Sequence, residues 1–185
     1  MHRWDGGEDA VPILESAFIH VYMGHGKGKT TSALGMVLRM AGCGGKSAVV
    51  QFMKGWPYSE AKGLAFLPGV TLIQTGRPDY VYPDKIIPED RSEAERGLAA
   101  ARNAVLSGKF DLVILDELNV ALSFGLVPLA PVLDLIEFRP SHVELVFTGR
   151  NPPQELIDKA DLVTEMVEIR HQYQKGVLAR KGIDC

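Results

Sequence analysis

The stretch "GHGKGKTT", Gly24 to Thr31, lies between an apolar run, "AFIHVYM" (17–23), and an amphipathic one, "KTTSALGMVLRMAG" (29–42). Strand, glycine-rich turn, helix is the order in which such a turn binds phosphate. The usual spacing is G-x-x-x-x-G-K-[ST]. Gly28, Lys29 and Thr30 supply its end, but Met23 stands where the first glycine belongs. Gly24, Gly26 and Gly28 are expected to let backbone N–H groups turn toward an anion with no Cβ in the way. The helix opening at Lys29 adds its dipole and unpaired N–H groups. Lys29 is expected to meet phosphate oxygens as a point charge, and the Thr30 hydroxyl to ligate Mg²⁺. The competing reading is a glycine-rich turn that holds no ligand.

Working outward, apolar runs of strand length recur at 47–53, 70–76, 111–118, 143–150 and 162–169. They are rich in Val, Ile and Leu and mostly do not alternate, which suits parallel strands covered on both faces. The stretches 88–108, 128–140 and 152–160 read as helices between them. The expected class is α/β, with a mainly parallel six-stranded sheet and helices on both faces. Residues 1–16 carry little pattern and read as an irregular N-terminal arm, and 17–185 as a single phosphate-loop domain. "GWPYSEAKGLAFLPG" (55–69) and "GRPDYVYPDKIIP" (76–88) read as loops. Both follow strands, so they belong to the edge where ligands bind such sheets.

The composition excludes several classes. The 185 residues suit one domain, and 46% hydrophobic with 23% charged residues is ordinary for a globular chain. A net charge of −3 gives no basic footprint for nucleic acid. Cys43 and Cys185 are far apart, so neither a disulfide framework nor a zinc site is expected. Cys43 reads as a small buried residue at a helix end. The start "MHRWDGGEDA" lacks the apolar core of a signal peptide. No run approaches the roughly 18 apolar residues of a membrane span. The expected location is the cytoplasm.

A phosphate loop needs an acid at the end of a neighbouring strand, and "LVILDEL" (112–118) offers Asp116 and Glu117. Either can hold Mg²⁺ directly or through water. Arg150, ending "VFTGR", can reach phosphate or form a surface ion pair. Gln51 and Lys54 end another run on the same edge. His25 either bonds nucleotide or fills space, and His171 reads as structural or exposed. These features specify a nucleotide and leave the reaction open. ATP hydrolysis, phosphoryl transfer to a small molecule and a less common transfer all fit, as does a non-catalytic nucleotide sensor. A guanine-specific site is disfavoured, since no N-K-x-D stretch occurs.

The series "GHGKGKTTSALGMVLRMAGCG", "VVQFMKGWPYSE", "LVILDELNVAL", "VFTGRNPP", "ADLVTEM" and "KGVLARKGID" resembles the corrinoid adenosyltransferases, from about Ile19 to Asp184 and in that family's order. The resemblance implies a RecA-like phosphate-loop fold and a homodimer. It implies that the protein transfers the 5′-deoxyadenosyl group of ATP to a Co(I) corrinoid, cobalamin or cob(I)yrinic acid a,c-diamide, releasing triphosphate in cobalamin biosynthesis or salvage. In this family the triphosphate runs along the loop in the reverse sense, exposing the 5′-carbon. The roles that follow are ATP binding by Gly24, His25, Gly26, Lys27, Gly28, Lys29, Thr30, Thr31 and Arg150. Lys27 and Lys29 stabilise the departing triphosphate, and Thr30 with Asp116 or Glu117 holds Mg²⁺. A reductase partner such as a flavoprotein is implied. The irregular N-terminal segment matches, in position only, the arm that covers ATP in this family. The sequence departs from the family after "TG" (75–76), where a Phe and a Trp that pack beneath the corrin ring are often found. Here Arg77 and Asp79 stand there, followed by Tyr80 and Tyr82, which either face the corrinoid or pack a loop.

Overall fold

The computed structural model describes residues 12–56 and 58–184. Six strands, β1 (Ile19–Met23), β2 (Ser47–Gln51), β3 (Val70–Gln74), β4 (Leu112–Asp116), β5 (Glu144–Thr148) and β6 (Leu162–Glu165), form one sheet. Its order is β3-β2-β4-β5-β1-β6, and every pair is parallel. The crossovers carry α1 (Lys29–Gly42), α2 (Ser59–Leu64), α3 (Pro88–Leu106), α4 (Leu118–Ser123), α5 (Leu129–Glu137) and α6 (Gln154–Lys159).

The unbroken apolar runs separate into two faces by the pleat of the strands. Ala48, Val50, Val113, Leu115, Leu145 and Phe147 meet α3, α4 and α5 in the larger core. Val49, Leu112, Ile114 and Val146 meet Ala33, Val37 and Met40 of α1 and Leu64 of α2. The expectation of cover on both faces fails at β6. This edge strand pairs only with β1, and all four of its residues are exposed.

The amino ends of the strands are tied by carboxylates that accept backbone N–H groups. Asp111 accepts from Ile13 (2.9 Å) and Lys46 (2.8 Å), Glu144 from Phe18 (2.6 Å), and Asp161 from Ile19 (2.8 Å). The bond from Ile13 anchors the described part of the N-terminal arm; residues 1–11 lie outside the described residues. The carboxyl ends are left for loops.

Four further expectations are corrected. The run 111–118 holds a strand only to Asp116, because Glu117 turns into the left-handed region (φ 61°) and caps α4. The stretch 55–69 contains α2, since "SEAKGL" places Leu64 on the core. The strand expected over 162–169 stops at Glu165, and the chain then crosses the phosphate loop. Cys43 is exposed, because it is the C-cap residue of α1, beyond the helix's last buried residue, Met40. Among the described residues no helix is long and apolar enough to cross a membrane.

Helix α3 lies close to the sheet because its buried stripe is small: Ala94, Gly97, Ala101 and Ala104. A Cβ at Gly97 would sit 2.7 Å from both Phe52 Cε1 and Thr75 Oγ1, whereas one at Gly35 in α1 meets nothing within 4 Å. One substitution should therefore act with opposite signs in two helices. Gly97→Ala should destabilise by about 1–3 kcal/mol through overpacking. Gly35→Ala should stabilise by about 0.5–1 kcal/mol through helix propensity. Urea denaturation checks both, and shifts of the same sign would refute this account of the packing.

Candidate active site

The loop from Gly24 to Gly28 joins β1 to α1. Gly24 (φ 98°) and Gly28 (φ 119°) take left-handed conformations that favour glycine. Sterics impose a second demand. A Cβ at Gly24 or Gly26 would lie 2.5 or 2.6 Å from the Met166 carbonyl oxygen. The Gly26 N–H donates to that oxygen at 2.6 Å, and the Met166 N–H donates to the Met23 carbonyl at 2.8 Å. The chain leaving β6 thus lies directly on the loop. The expectation that all three glycines turn N–H groups toward an anion is corrected at Gly26, whose N–H is engaged. Met23 is the last residue of β1, paired with Glu165, and it packs against the larger core. A glycine there would weaken a strand end.

Lys29 is 8% exposed, and its ammonium donates to the carbonyls of Gly24 and Gly26, both at 2.8 Å. Burial lowers its pKa, opposed by the charges of Glu117 and Asp116 and reinforced by Arg150. Lys27 points the other way. It forms an ion pair with Asp184 and donates to the Ile183 carbonyl at 3.2 Å.

Asp116 is fully buried at the carboxyl end of β4. Its Oδ1 accepts from Thr30 Oγ1 (2.8 Å) and Thr148 Oγ1 (2.7 Å). Its Oδ2 accepts from Gln51 Nε2 (3.0 Å) and Lys54 Nζ (2.8 Å). Burial pushes the carboxyl pKa up. The Lys54 charge and the hydrogen bonds from Lys54, Thr148 and Thr30 outweigh it, so the pKa lies below the usual range. Glu117 differs. Burial and the Asp116 charge push its pKa up, against Lys54, Lys29 and Arg150. Its N–H donates to Thr148 Oγ1 at 3.0 Å.

Two cavities meet here. The larger, ≈ 1090 Å³, lies between the phosphate loop and the segment from Glu168 to Asp184. The smaller, ≈ 380 Å³, lies among the turns that follow β2, β3, β4 and β5. His25, Lys29, Lys54, Tyr58, Tyr80, Glu117 and Arg150 line both. Phe52, Met53, Trp56, Pro78, Val81 and Phe124 give the smaller one an apolar wall.

The structure brings most of the anticipated residues together. Gly26, Gly28, His25, Lys27, Lys29, Thr30, Thr31, Glu117, Arg150 and His171 line the larger cavity. Asp116 lies beneath it, bonded to Thr30. Gln51 is a buried brace for Asp116, oriented in turn by Gln74 (3.0 Å). Tyr80 reaches both cavities, while Tyr82 packs against Tyr80, with ring centroids 5.2 Å apart. Arg77 is bound to Asp90 (2.6 Å) and Asp79 (2.8 Å), so it ties the 76–88 loop to α3. Sequence reasoning gave no role to Tyr58, Gln172 or Asp184. Tyr58 and Asp184 lie in stretches that carry the family resemblance without marking a role for either residue, and only the fold brings all three to the cavity beside the loop.

A parallel sheet with a glycine loop between strand and helix, and a buried aspartate on the loop threonine, defines a phosphate-loop nucleotide-binding protein. The sequence profile of ATP:corrinoid adenosyltransferase BtuR/CobO/CobP matches residues 15–185, and the chain belongs to that family. It is 37% identical over 172 residues to the corrinoid adenosyltransferase of Pseudomonas aeruginosa, covering 92% of this chain and 84% of that one. It is 32% identical over 171 residues to the corrinoid adenosyltransferase CobA of Salmonella typhimurium, covering 92% and 86%. An uncharacterised Nostoc protein is 38% identical over 167 residues, covering 83% of this chain and 44% of its own length. The reaction class is therefore ATP:corrinoid adenosyl transfer, with ATP and a corrinoid as substrates.

The pairing of Lys54 with Asp116 predicts a pH signature. A depressed folded pKa means that ionised Asp116 stabilises the fold above its ordinary pKa of about 3.9. That contribution is lost as pH falls through the folded value. Lys54→Met leaves the carboxylate buried without its counter-charge. At pH 7 the variant should lose up to roughly 3–5 kcal/mol, and the deficit should narrow as pH falls and Asp116 takes a proton. Equal deficits at pH 7 and pH 4 in urea denaturation would show that Lys54 does not balance this charge.

Proposed function

We propose that ATP occupies the larger cavity with its triphosphate along Gly24–Thr31, and that the corrinoid occupies the smaller, apolar one. The observation that carries this reading is the shared wall of the two cavities, where Lys29, Lys54, Tyr80, Glu117 and Arg150 face both. A transfer between nucleotide and corrinoid needs such a meeting point. The Co(I) centre attacks the 5′-carbon there, the cobalt–carbon bond forms, and the bond from that carbon to oxygen breaks. Triphosphate leaves with the electron pair. No proton is removed from the nucleophile, so no general base is needed.

This chain's groups then have two tasks. Lys29 and the helix start stabilise charge on the departing triphosphate, and the cavity walls hold cobalt in line with the 5′-carbon. Thr30, with Asp116 or Glu117, would hold Mg²⁺, which would neutralise triphosphate charge. Asp116 already accepts four hydrogen bonds, which favours contact through water, as this ion usually keeps several. Glu117 is a second carboxylate on the same side, facing the charges of Lys54, Lys29 and Arg150. Its left-handed backbone is strain of the kind that collects at functional sites. Lys27, engaged by Asp184, is assigned to holding the cavity closed as well as to phosphate. By resemblance, the reading includes a homodimer and a flavoprotein-type reductase; from composition and chain pattern it includes the cytoplasm and a single domain over 17–185. The corrinoid is cobalamin or its precursor cob(I)yrinic acid a,c-diamide.

The test is anaerobic incubation with ATP, Mg²⁺ and each chemically reduced corrinoid, followed by the spectrum of the cobalt–carbon product and identification of the phosphate product. Triphosphate with adenosylated corrinoid supports the reading; ADP and phosphate without it would overturn it. Lys29→Ala should lower kcat/KM at least 100-fold, the size expected for one donor at a developing charge. Near-parental activity would remove Lys29 from the site. Tyr80→Ala should raise KM for the corrinoid several-fold and leave KM for ATP unchanged. Tyr82→Ala, acting through Tyr80, should do so more weakly. A change confined to ATP would move Tyr80 to the nucleotide.

A further inference from the structure

The segment that crosses the phosphate loop after β6 returns to it. Gly26 holds one end, through its N–H on the Met166 carbonyl at 2.6 Å. Lys27, the next residue, holds the other end, through its ion pair with Asp184 and its bond to the Ile183 carbonyl. Adjacent residues of the loop thus fasten both ends of an excursion from Met166 to Asp184. Between the fasteners, Gln172, Tyr173, Val177 and Leu178 form the outer wall of the larger cavity. The Asp184 side chain is only 9% exposed although the surrounding segment is open. It also accepts from the Arg180 N–H (3.0 Å), from Arg180 Nε (2.9 Å) and from Gln172 Nε2 (3.4 Å). One carboxylate therefore gathers the start, the turn and the end of the wall onto the loop.

We infer that Asp184 is a positioning residue for the nucleotide: by holding Lys27 it keeps the 166–184 segment shut as a flap over the triphosphate. It touches neither cobalt nor the 5′-carbon, so it governs binding and release rather than bond making. Of the two fasteners, the Met166–Gly26 bond is backbone and continues the edge of the sheet. The Lys27–Asp184 pair is side chain to side chain, with Lys27 40% exposed. The outer fastener is the one that opens. Asp184 and the Ile183 carbonyl engage two of the three N–H donors of the Lys27 ammonium, so a phosphate oxygen can take the third, which couples triphosphate occupancy to the closed state of the flap. This inference rests on the placement of ATP against Gly24–Thr31.

The test measures steady-state transfer and trypsin sensitivity of the full chain. Asp184→Asn should raise KM for ATP about tenfold with kcat changed less than twofold, and Asp184→Glu should restore most of the affinity. Cleavage after Lys175 should be faster in Asp184→Asn than in the parent, with an unchanged melting temperature. An unchanged KM for ATP, a loss confined to kcat, or a lowered melting temperature that accounts for the loss would each overturn the inference. Lys29→Ala run alongside separates the two ideas. If it too leaves kcat/KM for ATP untouched, the placement of ATP is wrong. If it lowers kcat/KM while Asp184→Asn leaves KM for ATP unchanged, only the flap is wrong.

Discussion

A single buried carboxylate organises the catalytic end of this protein. Asp116 has no exposure to water, and its two oxygens accept from four side chains carried by α1, β2, β5 and the turn after β2. A buried charge is tolerable only when paired and hydrogen-bonded. The aspartate therefore needs these partners, and in accepting from them it fixes Thr30 at the head of α1 and Lys54 beyond β2. The two turns on which the cavities depend are set by one electrostatic requirement.

The sheet imposes a complementary division. Its amino edge is closed by Asp111, Glu144 and Asp161, each taking a backbone N–H from a neighbouring strand or its approach. Its carboxyl edge carries the phosphate loop, Asp116, Tyr80 and Arg150. Ligands favour that edge in parallel sheets because helix starts and flexible turns converge there.

Much of this was legible in the sequence, and the exceptions have physical reasons. Strands β2, β4 and β5 were visible because burial on both faces writes continuous Val, Ile and Leu runs. Helix α1 was visible because the glycine loop announces it. Helices α2 and α4 were hidden, α2 inside a stretch whose Gly, Pro and aromatic residues read as a loop and α4 inside the apolar run that continues β4. The positive φ at Glu117 left no mark either, since no glycine flags it. Asp116 and Thr30 could be paired from their motifs. The brace from Gln51 and the return of Asp184 to Lys27 could not, because they depend on strand order and on a distant segment. Met23, which first reads as a fault in the motif, is a strand residue whose carbonyl binds Met166.

The excursion from Met166 to Asp184 begins and ends on neighbouring residues, which decides how this part of the chain tolerates change. Closing a loop costs little more as the loop lengthens, about 0.6 kcal/mol for each doubling. Insertions between the fasteners are therefore mild lesions, and the segment can reshape its inner wall to suit what it covers. A shift of one residue at either end is a different matter, because it moves a carbonyl off Gly26 or a carboxylate off Lys27. Length is free here and endpoints are not, so new substrate-contacting surface can be grafted between them without disturbing the sheet.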